Sequence, residues 1–366
     1  NLLNQRQHGF VTNKAFVTNL LECADFLTKH DPDNTPVDMF LLDFAKAFDK
    51  VPHKRLMLKL SKYGIHGKLY DWIHSFLSDR LQRVILGDAI SDWCKVSSGV
   101  PPSSAELDYI KFQKDIDAVT DWSNTWLMKL HTGKCKLIHF GKKNPHLEYF
   151  IHDDLNLRKR LSNTSHERDL GIIVSSDLKP TLHCNKAAAT ANRLLGLMKN
   201  TFTSRDPLLW KLIYTTYIRP HLEFASSVWN PFLQKDINIL EKVQRRATRI
   251  PHTLKNLDYE SRCEFLGLTS LQDRRTRGDL IQQFKIIHGF DKLNWHIIPQ
   301  VSNNRRTDRT KLVRELNPNS RPRYNFFNNR IVGPWNSLTH HIVNARSINS
   351  FKAKINNHLL SYPKYT

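Results

Sequence analysis

The segment most suited to chemistry is Leu42-Asp-Phe-Ala-Lys-Ala-Phe-Asp49, which directly follows a short apolar run. A carboxylate at the end of a buried strand, here Asp43, is costly to bury without a counter-charge. A divalent cation offsets that cost, and Mg²⁺ prefers such oxygen ligands. Phe48, five residues on, is placed to shape a neighbouring pocket. On spacing alone the competing interpretation is favoured, in which Asp43 caps the next helix and Phe48 packs in the core.

A second kind of chemistry comes from positive charge. The 366 residues contain 55 Lys and Arg against 34 Asp and Glu, a net charge of +21. An excess of this size indicates polyanionic partners, with nucleic acid first and an anionic membrane surface second. A basic protein without such a partner is the alternative. Four cations recur on one face of a predicted helix over residues 235–249: Lys242, Arg245, Arg246 and Arg249.

The charge excess is strongest in residues 301–366, which hold 12 Lys and Arg against 2 Asp and Glu. Aromatic residues are interleaved there, in Arg321-Pro-Arg323-Tyr324 and in Phe326-Phe327. Cations beside rings suit phosphates together with stacked bases. The pattern is equally typical of a solvated basic segment whose aromatic residues pack inside.

The cysteines indicate a reducing compartment. There are five, Cys23, Cys94, Cys135, Cys184 and Cys263, without a Cys-x-x-Cys pair. The odd number and the wide spacing predict reduced thiols in an intracellular protein, cytoplasmic or nuclear. No apolar run reaches transmembrane length, so we expect no membrane partner.

The elements that must position these residues change along the chain. Up to about residue 175, helices predicted over 15–29, 52–63, 67–79 and 106–130 alternate with strands predicted near 37–43, 81–87, 92–97, 135–140, 147–151 and 170–174. This mixture predicts the α+β class. From residue 183 the pattern is helical, over 183–202, 206–218, 235–249, 259–266 and 271–289, followed by an irregular basic stretch and a helix over 346–360.

The Asp43 segment, continued by Lys50-Val-Pro-His53, closely resembles the first catalytic motif of non-LTR (LINE-type, jockey-like) retrotransposon reverse transcriptases. Further segments resemble the same family in the same order. They are Gln7-His-Gly-Phe10 with Thr18-Asn-Leu-Leu21, Ser98-Gly-Val-Pro101, Trp126–Leu130, Gly133-Lys-Cys-Lys136, His139-Phe-Gly141, Glu167-Arg-Asp-Leu-Gly171, Val174–Leu178, Tyr217–Glu223, Val228-Trp-Asn-Pro231, Leu240–Arg246, Phe326–Arg330 and Trp335–Leu338.

The resemblance implies a right-handed polymerase. It implies fingers and palm in residues 1–105, the remainder of the palm in 106–180, a helical thumb and downstream region in 181–300, and a basic C-terminal segment in 301–366. The family's activity is RNA-directed DNA synthesis with an RNA template, a DNA primer and two Mg²⁺ ions.

The family's site residues carry over to four positions of this sequence. Asp43 matches the first metal ligand. Phe44 and Phe48 match nucleotide-binding positions, with Phe48 against the incoming sugar. Lys134 matches a palm lysine that protonates the leaving pyrophosphate, although a solvated lysine is an equally good interpretation of that residue.

This chain departs from the family where the remaining carboxylates should follow. The family continues Gly-Val-Pro with Gln-Gly-Ser and later an Asp-Asp turn, whereas this sequence reads Pro101-Pro-Ser-Ser104 and lacks several dozen further residues. The pair Asp153-Asp154 matches a different segment, and Val11 replaces the family's fingers arginine. We therefore expect a catalytically inactive chain. Two alternatives stay open: RNA or DNA binding through the basic helical half, and a non-functional relic that folds poorly.

Overall fold

The computed structural model describes residues 6–33, 35–45, 51–78, 80–82, 85–86, 89–90, 94–95, 112–127, 130–152, 157–301, 311–317 and 319–361. Phe48, the pair Asp153-Asp154, Pro101-Pro-Ser-Ser104 and the first residues of the helix predicted over 106–130 lie outside these ranges. The chain forms two compact units. Unit 1 comprises residues 1–10, 38–138 and 145–164, and unit 2 comprises 11–37, 139–144 and 165–366.

The first half of the chain mixes helices with short strands. In order these are α1 (Phe16–His30), β1 (Val37–Leu41), α2 (His53–Lys62), α3 (Lys68–Leu77), β2 (Leu81–Gln82), β3 (Ile85–Leu86), β4 (Ala89–Ile90), β5 (Cys94–Lys95), α4 (Phe112–Trp126), β6 (Lys136–Phe140), β7 (Phe150–His152), β8 (Arg158–Arg160), β9 (Ser162–Asn163), β10 (His166–Asp169) and β11 (Ile172–Ser175).

The second half is helical. It contains α5 (Thr181–Thr201), α6 (Pro207–Ile213) continued by a π-helical turn (Tyr214–Ile218), α7 (Pro220–Glu223), α8 (Ser226–Trp229), α9 (Gln234–Thr248), a 3₁₀ turn (His252–Leu254), α10 (Tyr259–Leu266), α11 (Leu271–Ile287), α12 (Arg321–Tyr324), α13 (Phe327–Arg330), α14 (Val332–Asn336), α15 (His340–Val343) and α16 (Ile348–Ser361). The mixture of helices and small sheets is consistent with the α+β prediction. None of the described helices is both long and apolar enough to span a bilayer.

The strands form one three-stranded sheet and several two-stranded pairs. The sheet has the order β1–β6–β9, and β9 runs parallel to β6 with Lys136 opposite Ser162. Its buried face contributes to a core in unit 1 that includes Phe40, Leu137 and Ile151. The Tyr149 hydroxyl closes this core by donating a 2.8 Å hydrogen bond to Asp38.

Strands β10 and β11 form a hairpin in unit 2 whose turn requires a glycine. The two turn residues, Leu170 and Gly171, have φ angles of 44° and 91°. Both are left-handed, as in a type I′ turn, whose right-handed twist matches that of the strands. A Cβ atom on Gly171 would also lie 2.9 Å from the ring of Phe224. Any larger residue at this position would therefore have to displace that ring.

The largest core of unit 2 lies between α5, α6, α9 and α10. Helices α5 and α9 run side by side in the same direction. The Thr181 hydroxyl donates to Asp236 near their N-terminal ends, and the Arg246 guanidinium donates to Asn192 further along. Ala187, Ala188 and Ala191 of α5 are buried at this contact. Small side chains let helix axes approach closely, so the two helices form a rigid base for whatever their outer faces carry.

Residues from both ends of the chain complete unit 2. Helix α1, which the sequence analysis placed with the fingers, contributes Leu21 to a cluster with Phe326 and Phe327. Helix α11 shares a core with the C-terminal helices through Phe284 and Phe351, whose rings stack 4.2 Å apart. The cores of unit 2 therefore combine residues of α1, of α11 and of the C-terminal helices.

Candidate nucleic-acid interface

The structure brings Asp43 and Lys134 together within unit 1. Asp43 follows β1, and its carbonyl accepts a 2.7 Å hydrogen bond from the His131 N–H. A turn then carries the chain from His131 into β6, with the Lys134 N–H donating to the His131 carbonyl at 2.8 Å. Lys134 Nζ consequently lies 3.5 Å from Asp43 Oδ2, with the two side chains 65% and 51% exposed. The pair is a surface ion pair, so it contributes little to stability.

The donor set at Asp43 does not fit two Mg²⁺ ions. Two ions held close together need bridging carboxylates to compensate their mutual repulsion. Here the charged neighbour of the Asp43 carboxylate is an ammonium group. Within the residues that the structure describes, no group of three or more His, Cys, Asp or Glu side chains could hold a metal.

Phe44 is one of the two phenylalanines predicted to bind a nucleotide. Phe44 bridges to Leu130, and its ring lies 5.9 Å from that of Trp122. It is half-buried and packs against the core of unit 1. Phe48 lies outside the described residues. Phe44 is thus beside Asp43 in the chain, but its ring has a packing role.

A different constellation lies on unit 2, where α5, α9, the 3₁₀ turn and α10 enclose a groove with a volume of about 890 Å³. We call it the basic groove. Its lining contains seven Lys and Arg side chains, one histidine and no carboxylate; the cations are Lys199, Arg205, Arg245, Arg246, Arg249, Lys255 and Arg262. Across the described part of the chain, none of these seven forms an ion pair with an acid. The groove therefore concentrates uncompensated positive charge.

The amphipathic pattern of α9 explains how three of these arginines reach the groove. Leu240, Val243 and Ala247 are buried against α5 and the neighbouring helices. The opposite face is exposed, as expected for a helix with one apolar stripe. Arg245, Arg246 and Arg249, three of the four cations predicted on one face of this helix, line the groove. Lys242 is also exposed but does not line the groove.

Packing partners orient several groove side chains. The Arg245 guanidinium lies 4.5 Å from the centre of the Tyr259 ring. Arg262 is buried, and its Nε donates to the Thr248 hydroxyl at 3.2 Å. Arg205 donates to the Lys199 carbonyl at the end of α5. A guanidinium bound to a carbonyl or a ring keeps its full charge, so these contacts hold positive charge in place without neutralising it.

Four cations of the groove were not predicted: Lys199, Arg205, Lys255 and Arg262. The available signal was the run of cations from Arg245 to Arg262, which continues past the predicted end of the helix. Lys199 and Arg205 had no such signal, because only the parallel packing of α5 on α9 brings them to this groove.

The prediction that Arg323 binds nucleic acid is wrong. Its side chain is 1% exposed, and Nη1 and Nη2 each lie 2.6 Å from a carboxylate oxygen, of Asp25 and Glu315 respectively. Phe326 and Phe327 are also buried, so neither ring is available to stack on a base. Arg321, by contrast, is exposed at the start of α12. Most of the basic and aromatic residues of this segment that were predicted to contact nucleic acid are thus buried within unit 2.

A scan against models of protein families finds none that matches this chain, and a search of curated proteins finds no match either. The function must therefore be argued from the sequence and from the geometry of the basic groove.

Proposed function

We propose that this chain is a non-catalytic, nucleic-acid-binding derivative of a non-LTR retrotransposon reverse transcriptase, with a remnant of fingers and palm before a helical thumb. The basic groove of α5, α9 and α10 is its nucleic-acid interface. The observation that carries the proposal is the lining of that groove, with seven Lys and Arg side chains and no carboxylate. The ordered family motifs along the chain support the same ancestry.

Phosphate chemistry explains why this groove suits a nucleic acid. Five of its cations are exposed: Lys199, Arg245, Arg246, Arg249 and Lys255. Each cation that neutralises a phosphate releases condensed counterions, with a slope of about −0.9 in log affinity against log salt for a duplex. Five contacts give a slope of about −4.5, so affinity should fall several-hundred-fold, on the order of 500-fold, between 50 and 200 mM salt.

Charge reversal in the groove tests this proposal. We expect Arg245→Glu with Arg249→Glu to weaken the binding of a fluorescein-labelled 20-base-pair duplex by at least about a hundredfold at 0.1 M salt. The matched control is Lys186→Glu with Lys235→Glu. It makes the same charge change on α5 and α9, roughly 10–20 Å from the groove along the helix axes. For most of the groove this distance exceeds the Debye length of about 10 Å, so the control should retain most of its affinity.

Two results would count against the interface. Affinity that does not change between 50 and 200 mM salt would exclude phosphate contacts as its source. Equal losses in the groove variant and in the control would assign binding to overall charge and not to the groove.

The second candidate function is a working RNA-directed DNA polymerase. It is favoured by the juxtaposition of Asp43 and Lys134, the matches to a metal ligand and a general acid of the family. We nevertheless expect no primer extension, because one carboxylate beside an ammonium cannot hold two ions. Mg²⁺-dependent extension that Asp43→Asn abolishes would establish the polymerase instead.

A further inference from the structure

Helix α3 of unit 1 exposes a continuous apolar face. Leu69, Trp72 and Phe76 are 56%, 62% and 48% exposed. Their spacing of three and four residues places them on one side of the helix. Ile73 and Leu77, along the adjoining edge of the helix, are half-buried and buried respectively. The helix thus packs with one face and leaves a second face, with two large rings, in solvent.

The two rings are arranged as a stack that continues into a cation. The centres of the Trp72 and Phe76 rings lie 5.7 Å apart, with 16° between the ring planes. The Arg80 guanidinium carbon lies 6.0 Å from the centre of the Phe76 ring. On the neighbouring helix α2, Lys59 Nζ lies 5.9 Å from the Tyr63 ring. Exposed rings alternating with cations provide π-faces for bases and positive charge for the phosphates between them.

The positive charge around this apolar face indicates which kind of molecule binds to it. Residues 53–80 contain six Lys and Arg against two Asp. A second copy of the chain would bring the same positive surface against this one, and like charges repel. A single-stranded nucleic acid carries the complementary charge, and its unpaired bases are flat apolar groups that can stack on the exposed faces of the rings.

We infer that the Trp72–Phe76 face is a second nucleic-acid site, which stacks the bases of a single strand. It lies on unit 1 and differs in chemistry from the basic groove, whose lining contains no Phe, Tyr or Trp. The groove is suited to the phosphate backbone alone, whereas this face needs bases that are free to stack. The site is independent of the proposed function of the groove.

The test compares oligonucleotides with and without bases. In fluorescence anisotropy, Trp72→Ala should weaken the binding of labelled oligo(dT)20 at least about fivefold, since one base–ring stack corresponds to roughly 5- to 150-fold in affinity. The same variant should bind an abasic 20-mer, with identical phosphates, as the unchanged chain does. Trp72→Phe keeps a ring and should keep most of the affinity. Leu69→Ala removes an equally exposed apolar side chain that cannot stack, and it should change neither ligand.

Three outcomes would overturn the inference. One is an equal loss of oligo(dT)20 and abasic binding in Trp72→Ala. Another is a Leu69→Ala effect as large as that of Trp72→Ala. The third is sedimentation showing a dimer that Leu69→Ala dissociates, which would make the face a contact between copies. Binding of the 20-base-pair duplex, measured on the same variants, reports on the groove and so separates failure of this site from failure of the groove.

Discussion

Two regions of unit 2 have similar concentrations of arginine, and the fold uses them in opposite ways. In the basic groove, exposed guanidinium groups of α9 lie beside Lys199 and Lys255 without an acid among the lining residues. Around α12, Arg323 is almost completely buried between Asp25 and Glu315. The first region holds charge that an external polyanion can neutralise. In the second, the protein has already neutralised it.

The difference shows that the number of basic residues in a segment does not determine what they bind. Of the two regions, residues 301–366 have the larger excess of Lys and Arg over Asp and Glu in the sequence. Arg323, within this segment, nevertheless stabilises the fold. What matters is whether a carboxylate from elsewhere in the chain reaches each cation. Asp25 does so for Arg323, and it also accepts the backbone N–H groups of His296 and Ile297 at 2.7 and 3.2 Å.

The sharpest test of this contrast is Arg323→Ala. Removing the guanidinium leaves Asp25 buried without its cation, and breaking such a pair costs about 3–5 kcal/mol. We expect about 3 kcal/mol in urea denaturation, because two backbone N–H groups remain for the carboxylate. The matched control is Arg321→Ala, two residues away and exposed, which should change stability by less than about 0.5 kcal/mol. Similar effects of the two variants would contradict the contrast.

The buried His183 should make the free energy of unfolding depend on pH. Burial, and then the charge of Arg168, lowers the pKa of His183 from 6.5 to about 4. The ring is neutral in the native protein, where its Nδ1 accepts the Ile173 N–H at 3.3 Å. Below pH 6.5 the unfolded chain takes up a proton that the native ring excludes. The free energy of unfolding should therefore fall as pH drops from about 6.5 to 4, by at most about 3 kcal/mol.

The measurement for His183 is urea denaturation at intervals between pH 7 and pH 4. The comparison is His183→Gln, which removes the titrating group and should flatten this part of the pH profile. If the two profiles run parallel, His183 is not the group responsible.

A smaller change, in the salt dependence of duplex binding, should distinguish the groove from the rest of the basic face of α9. Arg249→Ala should reduce the magnitude of the salt slope by about 0.9 and weaken duplex binding by roughly 1 kcal/mol at 0.1 M salt. Lys242→Ala removes a cation of the same helix face that does not line the groove, so we expect a smaller change in slope. Anisotropy titrations across a salt series measure both. Equal slopes for the two variants would extend the interface beyond the groove.

The smallest effect is expected at the surface pair of unit 1. Asp43→Asn removes an ion pair whose side chains are both more than half exposed. Exposed pairs contribute about 0.2–1 kcal/mol, and a 3.5 Å separation places this one at the lower end. We expect less than about 0.5 kcal/mol in urea denaturation. A decrease of several kcal/mol in the free energy of unfolding would show that Asp43 stabilises the fold more than its exposure suggests.

Local patterns in the sequence predict much of this fold. The helix expected over residues 235–249 is observed at Gln234–Thr248, and that over 259–266 at Tyr259–Leu266. Both predictions succeed because their signals are encoded within a few residues: apolar periodicity in the first helix, and in the second the Asp258 cap, which accepts the Ser261 N–H. The burial of Arg323 could not be predicted this way. Its partner Asp25 lies 298 positions earlier, and no local pattern connects the two.

The same separation governs when unit 2 can be completed on the ribosome. The hydrogen bond from Arg323 to Asp25 spans 298 residues, and α1 is synthesised long before its partner. At about 5–20 residues per second, α1 waits roughly 15–60 s for α12 to be made. During that interval its apolar stripe, including Leu21, lacks the Phe326 and Phe327 rings that later cover it. Helix α1 therefore cannot form this part of its packing until α12 has been synthesised, although α1 precedes it by almost 300 residues.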